Sequence, residues 1–155
     1  MKNEIRPNLY LSDMYDAARL KDKRVKQIMM APIPTEAEKR LDDPILENLH
    51  PDFNYPMTDY SPELTPEYDP DYAGNPKNMK LLKQGAKKIS ELLSERKPVL
   101  VYCHAGMSRS PATVIKYLMD TEHLTYDDAL KEVEDKRPSI FINPAIELAL
   151  RRMER

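Results

Sequence analysis

The chain has 155 residues, a length suited to one domain, taken as 1–155, with a substantial core. Its 24 Lys and Arg against 26 Asp and Glu leave a formal charge of −2, which argues against nucleic acid or an anionic membrane as the main partner. One Cys excludes an internal disulfide and fits a reducing compartment, expected to be the cytoplasm; the polar start and the lack of a long apolar run predict neither a signal peptide nor a membrane span.

In chain order, residues 5–11 read as a strand pair turning at Pro7-Asn8. Ser12 is placed to cap a short helix through Leu20, with Met14, Ala17 and Ala18 on its buried face. Residues 25–31 form an apolar run of strand length, and Thr35 with Glu38 three residues on is a helix start beside Pro34. The stretch 41–51 has no clear period, and 53–57 predicts a short strand. Residues 51–76 hold six Pro, four Tyr and six acidic residues but no Lys or Arg, the composition of a long, stiffened acidic loop.

Asn75-Pro76 then opens a long helix, Asn as N-cap and Pro in the first turn. Its Met79, Leu82, Ala86, Ile89, Leu92 and Leu93 recur at spacings of three and four, and the lysines between them populate a solvated surface. Residues 98–102 predict the central strand, 110–119 a helix behind it, 125–136 another helix, and Asn143-Pro144 the start of the last. Short strands alternating with helices predict an α/β domain with a largely parallel sheet.

The chemistry lies between the central strand and its following helix. There the chain reads Cys103-His104-Ala105-Gly106-Met107-Ser108-Arg109-Ser110-Pro111. A thiol, a guanidinium, two hydroxyls and one of only three glycines meet at a helix N-terminus, where free N–H groups favour an anion and a thiolate. A buried small Cys ending a core strand is the plain alternative, but it leaves Gly106, Arg109 and Ser110 unexplained. No Cys/His cluster has zinc spacing; His50, His104 and His123 are scattered, and neither a metal nor another cofactor is expected.

This stretch resembles the signature loop of the cysteine-dependent protein tyrosine phosphatases, specifically the small dual-specificity phosphatases, whose pattern is His-Cys-x5-Arg-Ser/Thr. The chain matches at Cys103, Ala105, Gly106, Ser108, Arg109, Ser110 and Pro111, and departs at Tyr102, where the family has His. The openings Ile5-Arg-Pro-Asn-Leu-Tyr-Leu and Arg137-Pro-Ser-Ile-Phe-Ile-Asn-Pro are similar to family segments too. The resemblance implies a central sheet of about five strands with helices on both faces. It also implies a phosphocysteine mechanism with Cys103 as nucleophile and Arg109 binding two phosphate oxygens. The backbone N–H groups of His104, Ala105, Gly106, Met107, Ser108 and Arg109 would cradle the rest, and Ser110 would donate to the sulfur.

The resemblance further implies an Asp as general acid on a loop upstream. Asp59 fits best, at the head of the loop after the 53–57 strand, with Asp69 or Asp71 as alternatives. The non-basic x positions and the acidic loop favour phosphorylated protein as substrate: phosphotyrosine, with phosphoserine or phosphothreonine, taken by a monomer. Two alternatives stay open: a phosphatase of a phosphoinositide, nucleotide or RNA end, and a non-catalytic phosphate-binding module.

Overall fold

The computed structural model describes residues 2–60 and 71–154. Five strands form one sheet in the order β1-β2-β5-β3-β4: β1 (Asn3–Arg6), β2 (Leu9–Ser12), β3 (Lys26–Met29), β4 (Phe53–Asn54) and β5 (Val99–Tyr102). β1 and β2 pair antiparallel, and the other three pairings are parallel, which is the largely parallel sheet expected.

β5 is the middle strand, and all four of its residues are buried. Successive strand residues face opposite sides. Val99 and Val101 accordingly enter one apolar cluster, and Leu100 and Tyr102 the other. A strand buried on both faces reads as an unbroken apolar run, not as an alternation. The first cluster packs α3 (Pro76–Ser94), α4 (Arg109–Glu122), α5 (Tyr126–Lys136) and α6 (Pro144–Arg152) on one face of the sheet; the second packs α1 (Met14–Arg19) and a 3₁₀ turn, Pro44–Asn48, on the other.

Met79, Leu82, Ala86, Ile89 and Leu92 are the buried stripe of α3, as their spacing predicts. Gly85 lies in the same stripe. A Cβ there would come within 2.6 Å of the Met30 thioether and 3.0 Å of Thr113 Cγ2, so α3 approaches α4 this closely only because the side chain is missing.

Several boundaries differ from the sequence expectation. Ser12 does not cap α1: it pairs with Tyr102 across β2 and β5, and Asp13 caps instead, its carboxylate accepting from Asp16 N at 2.7 Å. The third strand is shorter than 25–31. The short helix started by Thr35 is α2 (Glu36–Arg40), with a capping box between Thr35 and Glu38. The stretch without period contains the 3₁₀ turn, started by Asp43 as cap and Pro44. The strand expected over 53–57 ends at Asn54. Tyr55 N still donates to Met29 O, but Pro56 has no N–H to offer, and the Asn54 amide turns back onto the carbonyls of Met29 and Ala31 at 3.1 and 2.8 Å. The helix behind the central strand runs longer than 110–119, over the full span of α4.

Parallel pairing places Ser12, Met29 and Tyr102 side by side at the C-terminal edge of the sheet. The segments that leave this edge build the site, the usual place for a ligand in an α/β sheet.

Candidate active site

Cys103 follows β5 and is buried, with 2% of its surface exposed. The loop after it is shaped by outward ties on its carbonyls. Met14 N donates to His104 O at 3.0 Å, Arg137 Nε to Gly106 O at 3.0 Å, and Phe141 N to Met107 O at 2.8 Å. In a trans peptide the next N–H points opposite to the carbonyl, and no described peptide is cis. The N–H groups of Ala105, Met107 and Ser108 therefore turn to the other side of the loop. Gly106 takes φ 72°, a left-handed conformation that glycine adopts without strain. A loop whose N–H groups turn to one side is an anion-binding nest.

Ser108 stands at the N-cap of α4 but makes no side-chain cap. Its hydroxyl is engaged elsewhere, accepting from Asn143 N at 2.9 Å and donating to Asp59 Oδ1 at 3.2 Å. The first turn of a 14-residue helix is thus left without its own cap, and such a helix end favours negative charge. Arg109 opens that helix. Its Nη1 donates to Met57 O at 3.0 Å, and its buried Nε has no partner among the described residues. A buried guanidinium N–H without an acceptor is costly, and a phosphate oxygen would satisfy it. Ser110 Oγ lies 3.3 Å from Cys103 Sγ, both buried.

The structure brings Asp59 to the signature loop through Ser108. Asp71 lies elsewhere, lining a cleft before α3 with Pro56, Thr58 and Lys77. Asp69 lies outside the described residues. The His104 ring faces away, Nε2 within 3.0 Å of Pro32 O, which leaves the backbone as its contribution to the loop. Ala105 and Met107 are exposed on the loop's surface.

Tyr102, where the resemblance has His, turns to β3: its hydroxyl donates to Gln27 Oε1 at 3.0 Å, and burial pushes its phenol well above the ordinary range. Among the described residues, no three His, Cys, Asp or Glu side chains gather as metal ligands would.

Sequence reasoning assigned no part to three residues near this site. Arg137 is 6% exposed and holds the Gly106 carbonyl from behind. Burial pulls its guanidinium below the ordinary value, opposed by the nearby charge of Asp13. Asn143 caps α6 and also donates from Nδ2 to Asp59 O at 3.0 Å. Asn78 is 2% exposed and bonds both backbone groups of Thr58. The available signal for Asn78 was its position: four residues before Leu82, it puts an amide on the apolar stripe of α3.

The fold thus brings together a buried thiol at a strand end, an Arg at the following helix and a carboxylate across the loop. Residues 9–155 match the family model described as dual specificity phosphatase, catalytic domain. Dual specificity protein phosphatase 12 of Rattus norvegicus is 39% identical over 66 residues, 43% of this chain and 20% of that protein. Dual specificity protein phosphatase 19 of Mus musculus is 49% identical over 53 residues, 34% of this chain and 24% of that protein. These matches therefore span about a fifth to a quarter of the relatives' own lengths. The solved structure of human tyrosine phosphatase-like serine/threonine/tyrosine-interacting protein superposes with a TM-score of 0.70 at 25% identity, over 99% of this chain and 95% of that one. With the family model covering nearly the whole sheet and every helix, the chain belongs to the dual specificity phosphatase family.

Proposed function

We propose that this chain hydrolyses phosphate monoesters on protein side chains, phosphotyrosine together with phosphoserine or phosphothreonine, through a phosphocysteine. In the first step the Cys103 thiolate attacks phosphorus in line with the ester oxygen. The S–P bond forms as the P–O bond breaks, and Asp59 gives its proton to the departing oxygen. The inward N–H groups and the Arg109 fork take up the negative charge on the phosphoryl oxygens. In the second step water attacks phosphorus, its proton goes to the Asp59 carboxylate, and sulfur departs as thiolate with a hydrogen bond from Ser110 Oγ. Inorganic phosphate leaves, and the chain is returned to its starting state.

The observation that carries this reading is convergence. Ser108 ties the Asp59 carboxylate to the same loop on which Ser110 contacts the Cys103 sulfur, and Arg109 between them reaches the carbonyl of Met57, two residues before Asp59. The relatives' names support protein as the substrate. So do the non-basic loop positions His104, Ala105, Met107 and Ser108 and the acidic composition of 51–76. The same reading has the chain act as a monomer in the reducing cytoplasm, without nucleic acid or membrane.

The test is steady-state hydrolysis of a phosphotyrosine peptide, a phosphothreonine peptide and a phosphoinositide, each with wild type and Asp59→Asn. We expect the peptides to be preferred. Asp59→Asn should cost roughly 100- to 10,000-fold on the peptides, the usual worth of a general acid. Preference for the phosphoinositide would replace the substrate class. Binding of a phosphopeptide with no leaving group released would make the site a binding module.

A further inference from the structure

We propose that two buried asparagines, Asn78 and Asn143, are positioning residues that hold Asp59 at the signature loop before any substrate arrives. The inference rests on the reading of Asp59 as proton donor.

Residues 55–60 have no regular secondary structure, and a general acid on such a segment would ordinarily sample many positions. Here the segment is tied at successive peptides. Asn78 Oδ1 accepts from Thr58 N at 2.8 Å, and its Nδ2 donates to Thr58 O at 2.9 Å. The same Nδ2 donates to Ala73 O at 2.6 Å, and Ala73 N donates to Tyr60 O at 2.7 Å. Asn143 Nδ2 donates to Asp59 O at 3.0 Å, while its Oδ1 accepts from Ala145 N at 2.9 Å and caps α6. The residue before Asp59 is therefore fixed to α3, and Asp59 itself to α6. Ser108 then holds the carboxylate at 3.2 Å.

Both tethers need an amide. Each Asn donates and accepts through one planar group, which neither a carboxylate nor an aliphatic side chain of similar size can do. Both are well buried, at 2% and 7% exposure, so water does not readily replace a lost bond. The entropy of ordering the acid is met on folding, and substrate binding does not have to supply it.

The experiment compares two aryl phosphates. Phenyl phosphate has a poor leaving group that needs a proton; 2,4-dinitrophenyl phosphate has one that does not. kcat/KM for both, which reports the steps up to phosphocysteine formation and not its later hydrolysis, is measured for wild type, Asn143→Ser, Asn78→Ser, Asp59→Asn, and Asp59→Asn combined with Asn143→Ser. Serine at 143 keeps a capping hydroxyl for α6 and removes the Nδ2 donor. Each Asn variant should lose about tenfold on phenyl phosphate, the worth of one buried hydrogen bond, and stay within about twofold on the dinitrophenyl ester. On top of Asp59→Asn, Asn143→Ser should add no further loss.

Partial unfolding lowers both rates equally, so the ratio of the two rates isolates positioning from stability. If Asn78→Ser does not fold, the cap-preserving Asn143→Ser decides. An unchanged ratio in the Asn variants, while Asp59→Asn shifts it, overturns the tether proposal alone. An unchanged ratio in Asp59→Asn overturns the assignment of the acid.

Discussion

One methyl group at Gly106 should disable the site while leaving the fold in place. A Cβ built there lies 2.7 Å from Arg137 Nη2 and 2.8 Å from the Ser12 carbonyl carbon, and closer still to the Ser12 oxygen. Carbon atoms rest at about 3.5 Å, so something must move by roughly 0.7 Å. Ser12 belongs to β2, paired in parallel with β5, and does not yield cheaply. Arg137 is buried and bonded to Gly106 O, so it does not yield either. The loop itself must give, and φ 72° adds strain of order 1–3 kcal/mol for a residue with a side chain.

A stability loss of about 2 kcal/mol lowers Tm by about 4–8 °C in a domain of this size. A displacement approaching 1 Å among groups that must surround a phosphoryl transition state costs about 100-fold in kcat. Gly106→Ala is assayed by thermal unfolding followed by circular dichroism and by kcat on a phosphotyrosine peptide. A variant with kcat within about threefold of wild type and an unshifted Tm would refute both the packing argument and the role given to the loop's N–H groups.

Arg109→Lys keeps the charge but loses the planar fork, and kcat on a phosphopeptide should fall by roughly 100- to 1,000-fold; near-normal kcat would contradict bidentate phosphate binding. Tyr102→Phe removes the donor to Gln27 and should cost about 1 kcal/mol in urea unfolding, while kcat stays within about twofold, because the hydroxyl serves β3 and not the sulfur. Burial raises the phenols of Tyr102 and Tyr126 above the ordinary value near 10, so folding favours their neutral forms. That contribution is intact below pH 10 and declines as pH rises past it, by about 1.4 kcal/mol per pH unit for each tyrosine. Absorbance at 295 nm should therefore show these two phenols ionising only with unfolding, and alkaline stability that is flat above pH 10 would refute their burial.

The parts legible in the sequence are those written in contiguous residues. Residues 103–111 carry thiol, glycine, cation and hydroxyls in nine positions, and the apolar run before them is the middle strand. Asn75-Pro76 and Asn143-Pro144 marked the starts of α3 and α6, because a cap and a proline act locally. Asp59 was legible as a carboxylate at the head of a loop, but the contact from Ser108 that reaches it spans 49 residues.

The tether from Asn143 spans 84 residues, and nothing in either neighbourhood announces it. Asn143 reads as an ordinary helix cap because its Oδ1 is one; the second use of its amide exists only once α6 lies beside the segment carrying Asp59. Ser108 was expected to offer phosphate its backbone; that its hydroxyl is committed to Asp59 and Asn143 was not legible in the sequence. Ser12 and Asp13 are equally good caps by residue type. Only pairing with β5, which takes Ser12 into the sheet, decides between them.

The central claim is that phosphate passes through the sulfur of Cys103, and rapid-quench mass spectrometry tests it most directly. Wild type mixed with excess 2,4-dinitrophenyl phosphate and stopped in acid within the first turnover should carry a single phosphoryl group, mapped by fragmentation to Cys103. Asp59→Asn should hold more of it, because hydrolysis lacks its base. Cys103→Ser should carry none and turn over no substrate. Turnover by wild type with no labelled chain at any quench time, or a label on Ser108, Ser110 or His104, would contradict the account.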